Sequence, residues 1–268
     1  MGRLVFIGLG LNSEESITLQ GLHAAKSADK VYLETYTNLM PELSLERLEQ
    51  LIGKPVCPLW RRDVEDSPEE SILKDAASMN VALLVSGDPM SATTHVDLRL
   101  RAVKGGIPTA IVSGVSVVTA AAATVGLQVY KFSRTVTLPF TSEKYMPETP
   151  YWVVMENMER GLHSLVLLDL DVEAQKYMSI REGLQYLLTL EARLKKGIIT
   201  MDTFTVGVAR IGSESATARA DSIDALLTHD FGPPPHLIIF PGKLHFMETE
   251  ALKAFARAPA TLQEFQTS

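Results

Sequence analysis

The sequence predicts an α/β protein of two α/β domains, an N-terminal one on a mainly parallel sheet and a C-terminal one on a mixed sheet. Three observations carry this. Apolar strand patterns alternate with capped helical patterns up to residue 113, which is the signature of strands joined by crossover helices. Beyond residue 114 several strand patterns follow one another with no helix between them. Finally, the unbroken apolar run Val81–Val85 ends in Ser86-Gly87-Asp88-Pro89, as a buried parallel strand entering a tight turn does. The expected domains are therefore 1–113 and 114–268.

In the first half, Arg3–Gly8 is a strand, and Ser13 with Glu14 and Glu15 opens a helix running to about Ala28. Val31–Glu34 is the second strand. Ser44 caps a short helix with Leu45, Leu48 and Ile52 on one face and Gly53 as its stop. Val56–Leu59 is the third strand. Ser67-Pro68-Glu69-Glu70 has the form of a capping box with proline in the first turn. It leads into the Val81–Val85 strand, a helix over His95–Lys104 and a strand over Ile107–Val112.

In the second half, helices are expected at Ser116–Val125, Tyr151–Arg160, Ser179–Leu194 and Phe246–Ala256, the third opened by a capping box of Ser179 and Glu182. Strands are expected at Arg134–Leu138, Leu165–Leu168, Phe204–Arg210, Thr217–Asp221 and Leu237–Phe240.

Composition narrows the function. A chain of 268 residues buries roughly 75% of the surface that it exposes when unfolded, so it needs neither disulfides nor metal to hold its fold. The single Cys57 forms no internal disulfide and leaves no cysteine-based zinc site, in keeping with a reducing cytoplasm. A net charge of −7 without long like-charged blocks argues against a broad nucleic-acid surface. The stretch between Lys104 and Lys131 carries no charge and is long enough to span a membrane. Its Pro108, Gly114 and Gly126 favour strand, turn and buried helix instead.

In open α/β sheets, ligands bind beyond the carboxyl ends of the strands, which is where Asp88 falls. It reads equally as a ligand-facing carboxylate and as the acceptor of an Asx turn. Gly8-Leu9-Gly10 after the first strand, with Glu34 closing the second, invites a dinucleotide reading. Against it, Ser13 holds the third glycine position, and Glu14 and Glu15 oppose a pyrophosphate there. Walker, nucleophile-elbow and His-Glu-x-x-His zinc motifs are missing. Of the six histidines, His23 and His229 read as surface and His163 as structural. His95 is balanced between local capping and a ligand role. His236 and His245, flanking the last strand, carry more weight, with a buried structural role favoured for His245.

A set of motifs stands in order along almost the whole chain: Gly8-Leu9-Gly10-Leu11; Gly87-Asp88-Pro89 with Ala92-Thr93-Thr94-His95; Gly126-Leu127-Gln128-Val129-Tyr130-Lys131-Phe132; Glu159-Arg160-Gly161-Leu162-His163; Pro234-Pro235-His236-Leu237; and Pro241-Gly242-Lys243-Leu244-His245. This resembles the diphthine branch of the tetrapyrrole methylase-like class of S-adenosylmethionine-dependent methyltransferases. Two positions depart from the pattern: Ser91 replaces a small apolar residue, and Ser133 replaces glycine.

The resemblance implies two α/β domains with the active site in the interdomain cleft, a homodimer, a cytoplasmic location, and S-adenosyl-L-methionine as donor with S-adenosyl-L-homocysteine as product. Cofactor contacts carried over fall on Leu11, Asp88, Ser91, Ser116, Val117, Leu168, Ala209 and His236; no metal site and no catalytic base are implied. The implied substrate is the 3-amino-3-carboxypropyl-histidine of translation elongation factor 2, N-methylated on the way to diphthamide. Two alternatives stand beside it: the same fold acting on a tetrapyrrole or ribosomal RNA, and a non-enzymatic adenosylmethionine-binding module.

Overall fold

The structure, a computed structural model, describes residues 2–142 and 145–262. It has two compact units. The first comprises the chain up to Val117 together with Asp171–Ala174; the second comprises Val118–Leu170 and the chain from Gln175 onward. The first unit thus runs a few residues past the expected division at 114. Gly114 belongs there because its N–H donates to Asp88 Oδ2 at 3.3 Å.

The first unit is a five-stranded, all-parallel sheet of β1 (Arg3–Gly8), β2 (Lys30–Glu34), β3 (Val56–Leu59), β4 (Asn80–Val85) and β5 (Thr109–Val112), in the order β3-β2-β4-β1-β5. Successive side chains on a strand point to opposite faces, and both faces are covered. Val81, Leu83 and Val85 of β4 pack with α3 (Ile72–Ala76) and α4 (His95–Lys104). Ala82 and Leu84 pack with α1 (Leu19–Ser27) and α2 (Leu45–Ile52). That double coverage explains why the Val81–Val85 run is apolar without alternation.

Two helix starts differ from expectation. The helix after β1 begins at Leu19, with Thr18 as its cap accepting from Gly21 N, whereas Ser13 makes no capping bond and Glu14–Ser16 form a single 3-10 turn. Glu14 is turned inward, where it accepts from Arg47 Nε and from Ser44 N at 3.1 Å, so it is withdrawn from any first helical turn. The Ser67 box also fails to form. Pro68–Glu70 make one 3-10 turn, and α3 starts only at Ile72. Ser71 interrupts the helix, its Oγ donating to Asp63 O at 2.6 Å. The strand expected at Ile107 begins at Thr109.

In the second unit, β6 (Val136–Leu138), β7 (Ser164–Leu168), β10 (Phe204–Ala209), β11 (Thr217–Ser222) and β12 (His236–Phe240) form a mixed sheet, ordered β11-β10-β12-β7-β6. Only the β6–β7 pair is parallel. The two-residue strands β8 (Leu170–Asp171) and β9 (Lys176–Tyr177) pair apart from both large sheets. α5 (Val117–Val125) precedes this sheet. α6 (Thr149–Glu159), α7 (Ile180–Leu194) and α8 (Ile223–Thr228) share its core through Tyr151, Leu184, Leu187 and Leu226. Gly183 lets α7 lie against the strands, since a Cβ there would stand 2.8 Å from Leu168 Cδ2. The Ser179–Glu182 capping box is present. α8 is an element the sequence reading missed, and α9 (Phe246–Phe255) closes the described chain.

No helix among the described residues is long and apolar enough to cross a membrane. The uncharged 105–130 stretch is divided between β5, the nine-residue α5 and turns.

Candidate functional site

In the first unit the carboxyl ends of the three adjacent strands β4, β1 and β5 meet through glycine. Gly10 and Gly87 pair as a short antiparallel bridge, Gly10 N donating to Gly87 O at 3.1 Å and Gly87 N to Gly10 O at 2.8 Å. A Cβ on Gly8 would stand 2.4 Å from Gly114 N, and one on Gly114 would stand 2.3 Å from Gly87 O. These strand ends touch backbone to backbone, so no larger residue fits at Gly8 or Gly114. Gly87 differs: its φ of +73° suits glycine, but a Cβ there meets nothing nearer than Val115 O at 3.9 Å. Gly87 is itself buried, but the space on its Cβ side is largely unfilled, which leaves room for a ligand to lie against its backbone.

Asp88 organises the turn that follows. Its Oδ1 accepts from Met90 N at 3.0 Å and Ser91 Oγ at 3.1 Å, and its Oδ2 from Gly114 N. The Asx-turn role is therefore real, and Asp88 also ties the turn after β4 to the one after β5. With about four lone-pair sites on a carboxylate, one acceptor position remains. Of the residues singled out in the sequence, Leu11, Asp88, Ser91, Ser116 and Val117 all follow these three strand ends. Leu11 and Ser116 are buried.

His95 is wholly buried, and its Nδ1 lies 3.2 Å from Pro89 O. It neither caps α4 nor faces solvent. Burial holds its imidazole below the ordinary value, so the ring is neutral near pH 7. Glu34 is also occupied. Its carboxylate is buried and accepts from Tyr36 N, Thr37 N and Thr37 Oγ1 of the adjoining turn, which holds it away from solvent and argues against a ribose-binding role and with it the dinucleotide reading.

The second unit gathers Leu168, Ala209 and His236 at one end of its sheet. Ala209 of β10 pairs directly with His236 of β12. Leu167 pairs with Leu237, so the antiparallel register sets Leu168 beside His236. Both His236 nitrogens are engaged, Nε2 with Gly232 O at 3.1 Å and Nδ1 as acceptor from Ile180 N at 3.4 Å. A carbonyl only accepts, so the proton sits on Nε2. Burial keeps this ring neutral as well.

Arg210, next to Ala209, sets the loop that carries His236. Its guanidinium donates to Phe231 O at 2.6 Å, to Pro233 O, and to Ser215 O at 2.9 Å; its backbone N–H donates to Pro235 O at 2.9 Å. Apart from the Ser215 hydroxyl, which Nε reaches at 3.0 Å, the partners are backbone carbonyls, which is why no sequence motif announced it.

Three of the motifs that carry the resemblance, 126–132, 159–163 and 241–245, converge on a residue the sequence reading passed over. Glu248 is completely buried and accepts from His163 Nε2, Lys131 Nζ, Gln128 N and His245 N. His163 Nδ1 accepts from Gly242 N at 2.9 Å, so the donating proton is on Nε2. Burial pushes the Glu248 carboxyl up, but the His163, Lys131 and backbone donors outweigh it and bring it down to about 2. His163 is structural, as expected. His245 is only partly buried and caps α9, its Nδ1 accepting from Met247 N, rather than lying in the core. The available signal was the spacing of His245 and Glu248, three apart at a helix start.

Comparison with known proteins gives the family of the chain. Residues 3–217 match the family model for Tetrapyrrole (Corrin/Porphyrin) Methylases. The chain is 43% identical over 261 residues to the diphthine synthase of Methanothermobacter thermautotrophicus, covering 97% of this chain and 98% of that one. It is 46% identical over 252 residues to the diphthine synthase of Methanocaldococcus jannaschii, covering 93% and 97%. A crystal structure of diphthine synthase superposes with a TM-score of 0.86 at 37% identity, covering 96% of this chain and 97% of that one. A conserved hypothetical protein of Aeropyrum pernix K1 superposes at 0.85 and 30% identity, covering 100% and 93%. The chain belongs to the tetrapyrrole methylase family and is a methyltransferase.

Proposed function

We propose that this protein N-methylates the 3-amino-3-carboxypropyl-histidine of translation elongation factor 2, using S-adenosyl-L-methionine, in diphthamide biosynthesis. The observation that carries the reading is end-to-end similarity to diphthine synthases, at 43% identity over 97% of the chain. A tetrapyrrole or RNA acceptor has no comparable support, because the named relatives share the diphthine activity. A homodimer and a cytoplasmic location are part of the same reading.

The residues present suit the cofactor. The unfilled space on the Cβ side of Gly87 admits a ligand edge, and Asp88 keeps an acceptor position free after satisfying its own turn. We assign Leu11, Asp88, Ser91, Ser116 and Val117 of the first unit, and Leu168, Ala209 and His236 of the second, to holding it. When bound, S-adenosylmethionine supplies a methyl group already activated on a sulfonium, so neither a metal nor a covalent enzyme intermediate is required. The chain's task is positioning, for which alignment of two reactants is worth roughly 7–11 kcal/mol.

The accepting amine resembles an α-amino group, which titrates around 7.7–8.0, and desolvation lowers that further. A fraction of the amine is therefore neutral without a strong base. His95 and His236 have their ring nitrogens committed or buried, so neither is offered as one. The test is mass spectrometry of elongation factor 2 carrying the precursor, incubated with this protein and S-adenosylmethionine. Whole methyl increments on the modified histidine are expected; a folded, cofactor-binding protein that adds none refutes the proposal.

A further inference from the structure

We infer that His95 is a positioning residue for the cofactor turn. It acts by donating Nδ1–H to the Pro89 carbonyl and so holds Asp88–Ala92 in the shape that receives the ligand. The inference rests on the reading of this turn as the adenosylmethionine site.

Three observations lead to it. First, the turn is conformationally costly, because Ala92 sits at φ +57°. The left-handed region costs a residue with a Cβ roughly 1–2 kcal/mol. Such a conformation persists only where its surroundings over-determine it, and these positions cluster at ligand clamps.

Second, the surroundings do over-determine it. Pro89 O receives two side-chain donors, Thr93 Oγ1 at 3.0 Å and His95 Nδ1 at 3.2 Å. Asp88, one residue earlier, is bonded to Met90 N, Ser91 Oγ and Gly114 N. Thr93 and His95 thus fix the carbonyl between Asp88 and Ser91, two residues assigned to the cofactor.

Third, the ring is committed to that single bond. A carbonyl accepts and cannot donate, so the Nδ1 atom facing Pro89 must carry the hydrogen. Nε2 is buried and has no hydrogen-bond partner among the described residues. A histidine needed only for packing would place no demand on which nitrogen carries the proton. Here the tautomer is dictated by the turn.

The experiment separates the donor from the bulk of the ring. Asparagine places its amide nitrogen where Nδ1 stands, and glutamine reaches toward Nε2 instead. S-adenosylhomocysteine affinity is measured by calorimetry for wild type, His95→Asn and His95→Gln, with circular dichroism confirming the fold. Both variants lose the imidazole packing, but only asparagine retains the donor. We expect His95→Asn to stay within about twofold of wild type and His95→Gln to weaken binding about five- to tenfold, the worth of one hydrogen bond.

Thr93→Val, at a half-buried position, removes the other donor and should weaken binding by a similar factor. It answers the question if the histidine variants do not fold. Equal affinities for the asparagine and glutamine variants, or an unchanged Thr93→Val, overturn the inference while leaving the proposed function intact. No uptake by the wild-type protein overturns both.

Discussion

Replacing Glu248 with glutamine tests the network where the motifs at 126–132, 159–163 and 241–245 meet. The substitution preserves shape and removes charge. Whichever way the new amide is turned, an NH2 replaces one carboxylate oxygen, and each oxygen faces donors. Oε1 receives Gln128 N and His163 Nε2, while Oε2 receives Lys131 Nζ and His245 N. Two donors then confront a donor, and the Lys131 ammonium, largely shielded, loses its anion. Breaking a buried ion pair from one side costs about 3–5 kcal/mol.

The depressed carboxyl leads to a figure of the same size. A carboxyl brought down from an ordinary value of 4.5 to about 2 contributes roughly 3 kcal/mol at neutral pH. Because the folded value is the depressed one, this stability is present above about pH 4.5 and is lost as pH falls toward about 2.

The assay is urea unfolding of Glu248→Gln against its parent at several pH values. A Trp60→Phe background makes Trp152, in the second unit, the only tryptophan reporter. The expected gap is about 3 kcal/mol at pH 7, shrinking steadily below pH 4.5. A gap under about 1 kcal/mol at pH 7, or one that does not change with pH, refutes the assignment.

Four further outcomes are expected. Gly87→Ala should cost about 1–2 kcal/mol of stability for its left-handed φ and yet fold, since the added methyl meets only Val115 O at 3.9 Å; S-adenosylhomocysteine affinity should fall at least tenfold by calorimetry. Gly114→Ala, whose methyl would stand 2.3 Å from Gly87 O, should instead abolish the stable fold in thermal melting. Arg210→Met leaves the carbonyls of Ser215, Phe231 and Pro233 without their donor, so a loss of about 3 kcal/mol in urea unfolding is expected, with weaker cofactor binding through the displaced His236 loop. In timed methylation, the mass spectrum should progress to a trimethylated amine, each step needing one more deprotonation until the nitrogen is quaternary; arrest at one methyl contradicts this.

Local chemistry was enough to read much of the architecture. The apolar run of β4, the Ser44 cap with its Gly53 stop, and the Ser179–Glu182 box each act within a few residues, so they appear in the sequence and recur in the structure. The helix starts at Ser13 and Ser67 failed because groups outside those segments compete for them, from thirty residues away at Glu14 and from eight at Ser71. Arg47 and Ser44 N draw Glu14 inward, and Asp63 O takes the Ser71 hydroxyl. Propensity cannot see a partner thirty residues away.

The site divides in the same way. Asp88 and its glycine turn were legible as a place, because a buried strand must end in a tight turn and ligands collect at strand ends. Tertiary structure alone decided what these residues do. Pairing of β10 with β12 put Ala209 next to His236, and Arg210 proved to grip carbonyls that every residue possesses. Glu248 became the meeting point of three separated motifs because burial strengthens each bond it accepts. Sequence determined the strands, caps and turns, whose forces are local; the fold determined which side chains became partners, because that depends on distances no spacing along the chain encodes.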